Sequence, residues 1–254
     1  MAKKEPQEVE VKFEPKTNPE LNSKGVYVAI LNQGNVRVEL AGLATEMTHQ
    51  RKYRLHLSYP SAKPISNNRN EIVQDFLSKP EYDYLMMIDS DIIPPLNILD
   101  LVDHQKPIMG CVCFAYMDDG IIPLILKEIP EEERKDPRKP YKVMDLEGDE
   151  GVAEVDAIGT GLIVIRRDVL EALENEQPFC NRYDEKGLKT LGLDLSFCQK
   201  AKAKGFQIFA HLDYICSHWV KINLKDVYQA VSTANEIKLQ KIKQGKDVTE
   251  RVHK

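Results

Sequence analysis

The sequence has few cysteines, and they form no recognisable motif. The five cysteines are scattered along the chain, and no two of them have the Cys-x-x-Cys spacing. An odd number of isolated cysteines argues against a disulfide framework. We therefore expect reduced cysteines in the core of the protein, namely Cys111, Cys113, Cys180, Cys198 and Cys216.

Long apolar runs and an excess of positive charge are also missing. No stretch approaches the roughly 18 consecutive apolar residues that a membrane span needs, and no apolar signal segment follows Met1. Charged residues make up 30% of the chain and the net charge is -5. A general attraction to nucleic acid or to an anionic membrane is therefore not indicated, and we expect a cytoplasmic protein.

The length of 254 residues is sufficient for one large α/β domain with a real core. Residues 1–24 are rich in lysine and glutamate, contain three prolines and have little apolar periodicity, which predicts a flexible arm. We expect the folded domain in residues 25–221. Apolar residues at helical spacing after residue 222 predict an amphipathic C-terminal tail helix in residues 222–254, suited to packing on the domain or on a second copy.

A short apolar run that ends in two acids is the most informative stretch. The run from Tyr84 to Ile88 is too short for a free-standing helix and is typical of a strand buried on both faces. Asp89 and Asp91 follow it, two residues apart, before a pair of prolines. Ligands of open α/β sheets lie at the carboxyl ends of strands, where paired carboxylates suit a divalent cation. The alternative is a solvated turn whose acids cap the next helix.

Other segments predict a strand at residues 25–31, a helix from about Val38, a strand at 53–59 and a helix starting near Ser66 or Asn67. Arg69 would then lie in the first turn of that helix, beside free backbone N-H groups that form an anion site. The alternative is an exposed Arg69 paired with Glu71 or Asp75.

Two later segments also carry candidate residues. Residues 127–150 are charged throughout and predict a surface excursion, either a mobile loop that binds an acceptor or plain surface. Gly159 and Gly161 flank Thr160 before an apolar strand, and small residues there permit close approach to a ligand. They do not form a dinucleotide fingerprint, because the third glycine is missing and the glycines precede the strand.

In this order the parts resemble the GT-A-fold, metal-dependent nucleotide-sugar glycosyltransferases, especially the family-2-like members. The resemblance covers about residues 25–221. Its segments are the first strand with its open loop, Asn68-Arg69-Asn70, Tyr84 to Asp91 with the following prolines, Val155 to Gly161, Pro178-Phe179, Asp194 to Cys198 and Ser217-His218. It implies an α/β fold: a single GT-A-like (Rossmann-like) domain with a central, mostly parallel sheet flanked by helices, plus the C-terminal amphipathic helix.

The resemblance also implies a metal site. Asp91, with Asp89 directly or through water, would hold Mn2+ or Mg2+ on the diphosphate of a nucleoside-diphosphate sugar, and His218 would be a further ligand. An imidazole among carboxylates suits Mn2+ better than Mg2+. The alternative for His218 is a core or surface histidine without a metal.

The remaining roles follow from the same match. Asp194 corresponds to the acid that takes the proton from the acceptor hydroxyl in inverting members, but Leu193 stands where a glutamate is usual, and a helix N-cap is the alternative. Arg69 would stabilise the departing diphosphate. Asp156 and the segment Gly159-Thr160-Gly161 would line the donor sugar and acceptor. The donor base and ribose would lie at Asn32 and the region of Ser61, and Ser90, between the two acids, is a further candidate for binding the donor.

Two other functions remain open from the sequence. One is a nucleotidyltransferase acting on a sugar phosphate, although the loop Asn32-Gln33-Gly34-Asn35 lacks the glycine-rich, basic character usual in such enzymes. The other is a non-catalytic zinc-binding protein using Cys180, Cys198, Cys216 and His218. The sugar, the nucleotide and the acceptor, whether glycan, small molecule, protein or modified base, are not identified by the sequence.

Overall fold

The computed structural model describes residues 23–117, 120–136, 138–146 and 148–243. The predicted N-terminal arm therefore lies almost entirely outside the described residues. Within the described part, the strands and helices follow in the order expected for an α/β domain.

Five α-helices are present in the described part of the chain. They are α1 (Val38–His49), α2 (Ile65–Leu77), α3 (Arg167–Ala172), α4 (Leu193–Ala203) and α5 (Leu224–Lys243). Short 3-10 helices span Ile98–His104, Glu131–Glu133 and Glu174–Glu176.

Sixteen short strands accompany these helices among the described residues. They are β1 (Gly25–Leu31), β2 (Arg54–Ser58), β3 (Tyr84–Asp89), β4 (Ile92–Ile93), β5 (Ile108–Val112), β6 (Phe114–Met117), β7 (Gly120–Pro123), β8 (Ile125–Glu128), β9 (Tyr141–Val143), β10 (Val152–Val155), β11 (Ala157–Ile158), β12 (Leu162–Arg166), β13 (Arg182–Tyr183), β14 (Lys189–Leu191), β15 (Ile208–Ile215) and β16 (Ser217–His218).

Seven of these strands form the central sheet, in the order β10-β15-β5-β12-β3-β1-β2. Strands β15, β5, β3, β1 and β2 run in one direction, whereas β12 and β10 run in the opposite direction. The predicted fold class, a mostly parallel central sheet flanked by helices, is confirmed. Because β12 is antiparallel to both of its neighbours, its first residues lie at the edge where β3 ends.

The two faces of the sheet are covered by different helices, as the alternation of side chains along a strand requires. On one face, Leu85 and Met87 of β3 pack in a cluster that includes Phe76 of α2 and Phe197 of α4. On the other face, Met86 and its neighbours pack with α1 and with the 3-10 helix Ile98–His104. Burial on both faces explains why β3 is apolar without interruption.

The charged segment 127–150 is partly built into the structure. Within it, β9 pairs with β8, and β8 pairs with β11, to give a three-stranded sheet beside the central one. Backbone pairing with β8 therefore fixes the middle of this segment, which was expected to be an irregular surface excursion.

The predicted tail helix forms as α5, but its apolar stripe is not covered by the domain. Leu224, Tyr228, Val231 and Ile237 are each about half exposed or more. Self-association through this helix remains a prediction. Among the described residues, no helix combines the length and the apolar character needed to cross a membrane.

Candidate functional site

The candidate site lies where β3 ends. Asp89 is the last residue of β3, and its amide donates a hydrogen bond to the carbonyl of Gly161 at 2.8 Å. The next amide, that of Ser90, donates to the carbonyl of Leu31 at the end of β1, at 2.9 Å. The ends of β1 and β3 and the start of β12 therefore meet at one edge of the sheet.

Arg69 forms a buried ion pair with Asp89. One guanidinium nitrogen, Nη2, donates to both carboxylate oxygens, at 2.9 and 3.0 Å, and Arg69 is 2% exposed. Helix α2 begins at Ile65, so Arg69 lies in its second turn rather than beside free N-H groups at its start. The expected position at the helix start and the exposed pair with Glu71 or Asp75 are therefore wrong, and contact of Arg69 with a phosphate stays a prediction.

Local periodicity explains this position. Arg69 shares a face of α2 with Ile72, Val73 and Phe76, at spacings of three, four and seven residues, and all four are buried against the sheet. Asp89 points to the same face of β3 as Met87, whose sulfur lies 3.9 Å from the Arg69 Nη1. Helix α2 therefore places the Arg69 guanidinium at the end of β3.

The carboxyl group of Asp89 lies in a strongly acidic environment. Burial raises its pKa to about 7; the Arg69 charge opposes this rise, and the negative charges of Asp194 and Asp91 add to it. Three carboxylates thus lie close enough to influence one another, with one guanidinium to balance them. The site therefore combines three carboxylates with the Arg69 guanidinium and with the His218 imidazole beside Asp91.

His218 faces Asp91 across a short antiparallel strand pair. Strand β16 pairs with β4, so that His218 lies opposite Ile92, and the Trp219 amide donates to the Asp91 carbonyl at 2.9 Å. The imidazole Nε2 lies 3.6 Å from an Asp91 carboxylate oxygen. Residues 127 positions apart in the sequence are therefore brought together.

The other ring nitrogen of His218 fixes the tautomer. Nδ1 lies 2.5 Å from the carbonyl oxygen of Phe114, which can only accept a hydrogen bond. In the neutral ring Nδ1 then carries the proton, and the Nε2 lone pair faces Asp91. A backbone carbonyl behind one nitrogen, with the other nitrogen free, is the usual arrangement of a histidine that binds metal.

Thr160 holds Asp194. The Thr160 hydroxyl donates to one Asp194 carboxylate oxygen at 2.5 Å, and the Thr160 amide donates to the other at 3.3 Å. Asp194 lies in the first turn of α4, whose N-cap residue is Gly192, so the N-cap alternative for Asp194 is wrong. Thr160 is fully buried, which keeps the carboxylate in a fixed orientation.

At Gly159 and Gly161, on either side of Thr160, the surrounding protein leaves little room for a Cβ atom. A Cβ on Gly159 would lie 2.6 Å from the Leu124 Cδ1, and a Cβ on Gly161 would lie 3.2 Å from the Ile92 Cγ1. Tight packing is sufficient to account for a glycine at both positions. The Gly161 carbonyl accepts a hydrogen bond from the Asp89 amide and Gly159 lines the groove described below, and a role of either residue in binding a ligand stays a prediction.

Two other predicted site residues are hydrogen-bonded to protein groups. Asp156 accepts hydrogen bonds from the Lys202 ammonium at 2.7 Å and the Glu128 amide at 2.9 Å. Lys202 is eight residues after Asp194 on α4, or about 12 Å along the helix, so the structure does not bring Asp156 to the acids. The side-chain amide nitrogen of Asn32 donates to the carbonyls of Tyr59 and Pro60, which links the loop after β1 to the loop after β2.

A groove of about 790 Å3 opens beside Asp194. Its walls are the three-stranded sheet and the start of α4, and its lining is mainly apolar with basic residues among it. The sequence analysis did not identify this groove, because its walls come from distant segments. The residues that define it here are Leu124, Tyr141, Lys142, Gly159, Lys189, Leu193, Asp194 and Leu195.

Comparison with known proteins gives a likeness of fold. No family model matches the chain, and no curated protein matches it. The crystal structure of A197 from STIV has a TM-score of 0.51 at 15% identity and covers 78% of this chain and 86% of that chain. At 15% identity, this likeness shows the fold alone.

Two further solved structures are less similar. A glycosyltransferase involved in the glycosylation of the major capsid of PBCV-1 has a TM-score of 0.32 at 15% identity, over 61% of this chain and 69% of that chain. The nucleoside-diphosphate-sugar pyrophosphorylase from Vibrio cholerae RC9 has a TM-score of 0.38 at 14% identity, over 74% of this chain and 72% of that chain. Neither score carries an argument about function.

Proposed function

We propose that this protein is a metal-dependent glycosyltransferase that uses a nucleoside-diphosphate sugar. The observation that carries the proposal is the facing pair of Asp91 and His218, with the imidazole tautomer set by the Phe114 carbonyl. Ligands about 2.1 Å from one cation, in adjacent octahedral positions, lie about 3 Å apart. A separation of 3.6 Å between the two ligand atoms is close to that value.

The donor set fits Mn2+ or Mg2+. Asp91 and the His218 Nε2 would hold the ion, with Asp89 behind them directly or through water. Carboxylate oxygens with one imidazole nitrogen favour Mn2+. When bound, such an ion stabilises the negative charge that develops on a departing nucleoside diphosphate.

Arg69 has a positioning role in this proposal. Its guanidinium is buried and bonded to both oxygens of Asp89, so it orients that carboxylate and partly neutralises the acid cluster. The direct contact with phosphate that the sequence suggested stays a prediction beside this role.

Asp194 is the proposed base. Its carboxylate is held by Thr160 and lies in the lining of the groove beside the acid cluster. An acceptor hydroxyl that enters along the groove would give its proton to Asp194 while attacking the sugar. The apolar walls would exclude water from competing with the acceptor.

The test measures binding and hydrolysis separately. Purified protein is heated with UDP, GDP or ADP, with and without Mn2+, since a ligand that binds only the folded state raises the melting temperature. We expect one nucleotide to raise it only when Mn2+ is present, and the corresponding nucleotide sugar to be slowly hydrolysed. Asp91→Ala removes the Mn2+-dependent part of the shift, whereas Asp226→Ala, a change of an exposed acid on α5, retains it. If no donor is bound or hydrolysed in the panel, the proposal fails.

Release of pyrophosphate separates this proposal from the nucleotidyltransferase. A glycosyltransferase releases a nucleoside diphosphate from a nucleotide sugar. A nucleotidyltransferase releases pyrophosphate when it joins a nucleoside triphosphate to a sugar phosphate. Pyrophosphate formed from a triphosphate and a sugar phosphate would replace the first proposal with the second.

A further inference from the structure

Three of the five cysteines converge in the core. Cys111 lies in β5, Cys113 directly follows that strand, and Cys216 lies between β15 and β16. Cys111 and Cys113 share a face of the strand because they are two residues apart. The Cys216 amide donates to the Val112 carbonyl at 2.9 Å, which places its side chain beside theirs.

The three sulfur atoms form a compact group, defined here as the thiol cluster. All three lie within 4.8 Å of one another, the Sγ atoms of Cys111 and Cys216 are 3.1 Å apart, and each residue is 2% exposed. The other two cysteines lie elsewhere. The Lys200 ammonium donates a hydrogen bond to the Cys180 sulfur, and the Cys198 thiol faces the Ile158 carbonyl.

The spacing of the sulfurs matches a metal centre. Zinc-sulfur bonds of about 2.3 Å place the sulfurs of a tetrahedral site about 3.8 Å apart. The thiol cluster, with all sulfurs within 4.8 Å, needs small side-chain adjustments to reach that geometry. Thiolates select soft ions such as Zn2+, whereas the carboxylates at Asp89 and Asp91 select hard ions.

The geometry points to a binding site for a thiophilic divalent cation, with Zn2+ as its natural probe, held by Cys111, Cys113 and Cys216. This site differs from the zinc set that the sequence suggested, since Cys180 and Cys198 are not part of it. Each thiol that binds the ion releases its proton to solvent. Within the described residues no fourth histidine, cysteine or acidic side chain joins the group, so an ion here would have three protein ligands.

Occupation of this site would act on the neighbouring one. Cys216 stands two residues before His218, and Cys113 directly precedes Phe114, whose carbonyl fixes the His218 ring. An ion that joins β5 to the segment before β16 would therefore stiffen both supports of the imidazole. The inference does not depend on glycosyl transfer, because the sulfur ligands are independent of any donor sugar.

The experiment uses Co2+ as a spectroscopic probe. Reduced, full-length protein carrying Asp91→Ala is titrated with Co2+ without oxygen, so that the carboxylate site contributes little. We expect a thiolate-to-cobalt charge-transfer absorption that saturates at one equivalent and is abolished by Zn2+. Only sulfur ligands produce this absorption, so its absence would overturn the inference.

Matched variants locate the site. Cys113→Ser is expected to abolish the absorption, whereas Cys198→Ser, a change of an equally buried cysteine outside the cluster, retains it. Cys113→Ala serves the same purpose if the serine variant does not fold, and circular dichroism checks both. An absorption that survives both Cys113 variants would contradict the assignment. So would a disulfide between Cys111 and Cys216 that persists in the protein prepared for the titration, detected as two cysteines that resist alkylation after denaturation, because it would consume two of the ligands.

Discussion

Arg69 and Asp89 form an ion pair between helix α2 and the end of strand β3, in which one nitrogen of the buried guanidinium donates to both oxygens of the partly exposed carboxylate. The pair joins a helix face to a strand end, and the Arg69 side chain is 3% exposed. The cost of removing one partner of such a pair is large, because the other charge is left without compensation.

We therefore predict that Arg69→Met lowers the free energy of unfolding by about 3 kcal/mol. The measurement is urea denaturation at neutral pH, without added metal. Arg138→Met is the matched control, since Arg138 makes an exposed pair with Asp136 and exposed pairs contribute little. Equal behaviour of the two variants would show that the Arg69 pair is not buried as described.

Thr160→Val tests the support of Asp194. The substitution keeps the shape of the side chain but removes the hydroxyl that donates to the carboxylate at 2.5 Å. Hydrogen bonds to charged groups contribute about 2 kcal/mol, and we expect a loss of that size in the free energy of unfolding. Thr45→Val, which removes an exposed hydroxyl bonded to the Ala41 carbonyl, is the control. A loss no larger than that of the control would disconnect Thr160 from Asp194.

Two glycine substitutions should change the stability of the protein in opposite directions. A Cβ on Gly25 would lie 2.7 Å from the Tyr82 Cα and closer still to the Glu81 carbonyl, which are backbone atoms that cannot move aside easily. We expect Gly25→Ala to lower the melting temperature strongly. A Cβ on Gly42, at an exposed position of α1, meets nothing within 4 Å, so Gly42→Ala should stabilise the protein by about 1 kcal/mol. Thermal denaturation followed by circular dichroism measures both, and a stabilising Gly25→Ala would refute the packing at the start of β1.

His211 should make the protein less stable in mild acid. Burial lowers its pKa in the folded protein, and the nearby His104 lowers it further, while Asp213 opposes the shift. As the pH falls below the ordinary histidine pKa of about 6.5, the unfolded chain binds a proton before the folded one does, so the free energy of unfolding decreases.

The measurement is the free energy of unfolding between pH 7 and pH 5. In His211→Gln this decrease should be smaller than in the wild-type protein. His49→Gln, a change of an exposed histidine at the end of α1, should leave the slope unchanged. An unchanged slope in the His211 variant would assign the acid sensitivity to other groups.

The sequence predicted the elements of the fold better than the contacts between them. The apolar run before Asp89 was sufficient to identify β3 and its acidic end, because burial on both faces leaves a direct trace in composition. The direction of β12 could not be predicted, since a buried strand has the same apolar pattern whether it runs parallel or antiparallel. The sheet order is decided by long-range pairing that no local segment encodes.

The partners of charged residues were the least predictable part of the site. The alternative given for Arg69 was a pair with nearby Glu71 or Asp75, yet it pairs with an acid twenty residues away. Its spacing to Ile72, Val73 and Phe76 was a usable signal that it faces the core. For Asp156, which lies between β10 and β11, no such signal exists, because its partner Lys202 lies 46 residues later in the sequence, on helix α4.

Because β12 runs opposite to β3, one edge of the sheet carries residues from two different connections. The edge where β3 ends is also the edge where β12 begins. It therefore carries both Asp89, the last residue of β3, and Thr160, in the turn that precedes β12. The two connections are joined at this edge, because the Asp89 amide donates to the Gly161 carbonyl and Thr160 holds Asp194. A change in the length of either turn would therefore displace carboxylates of both.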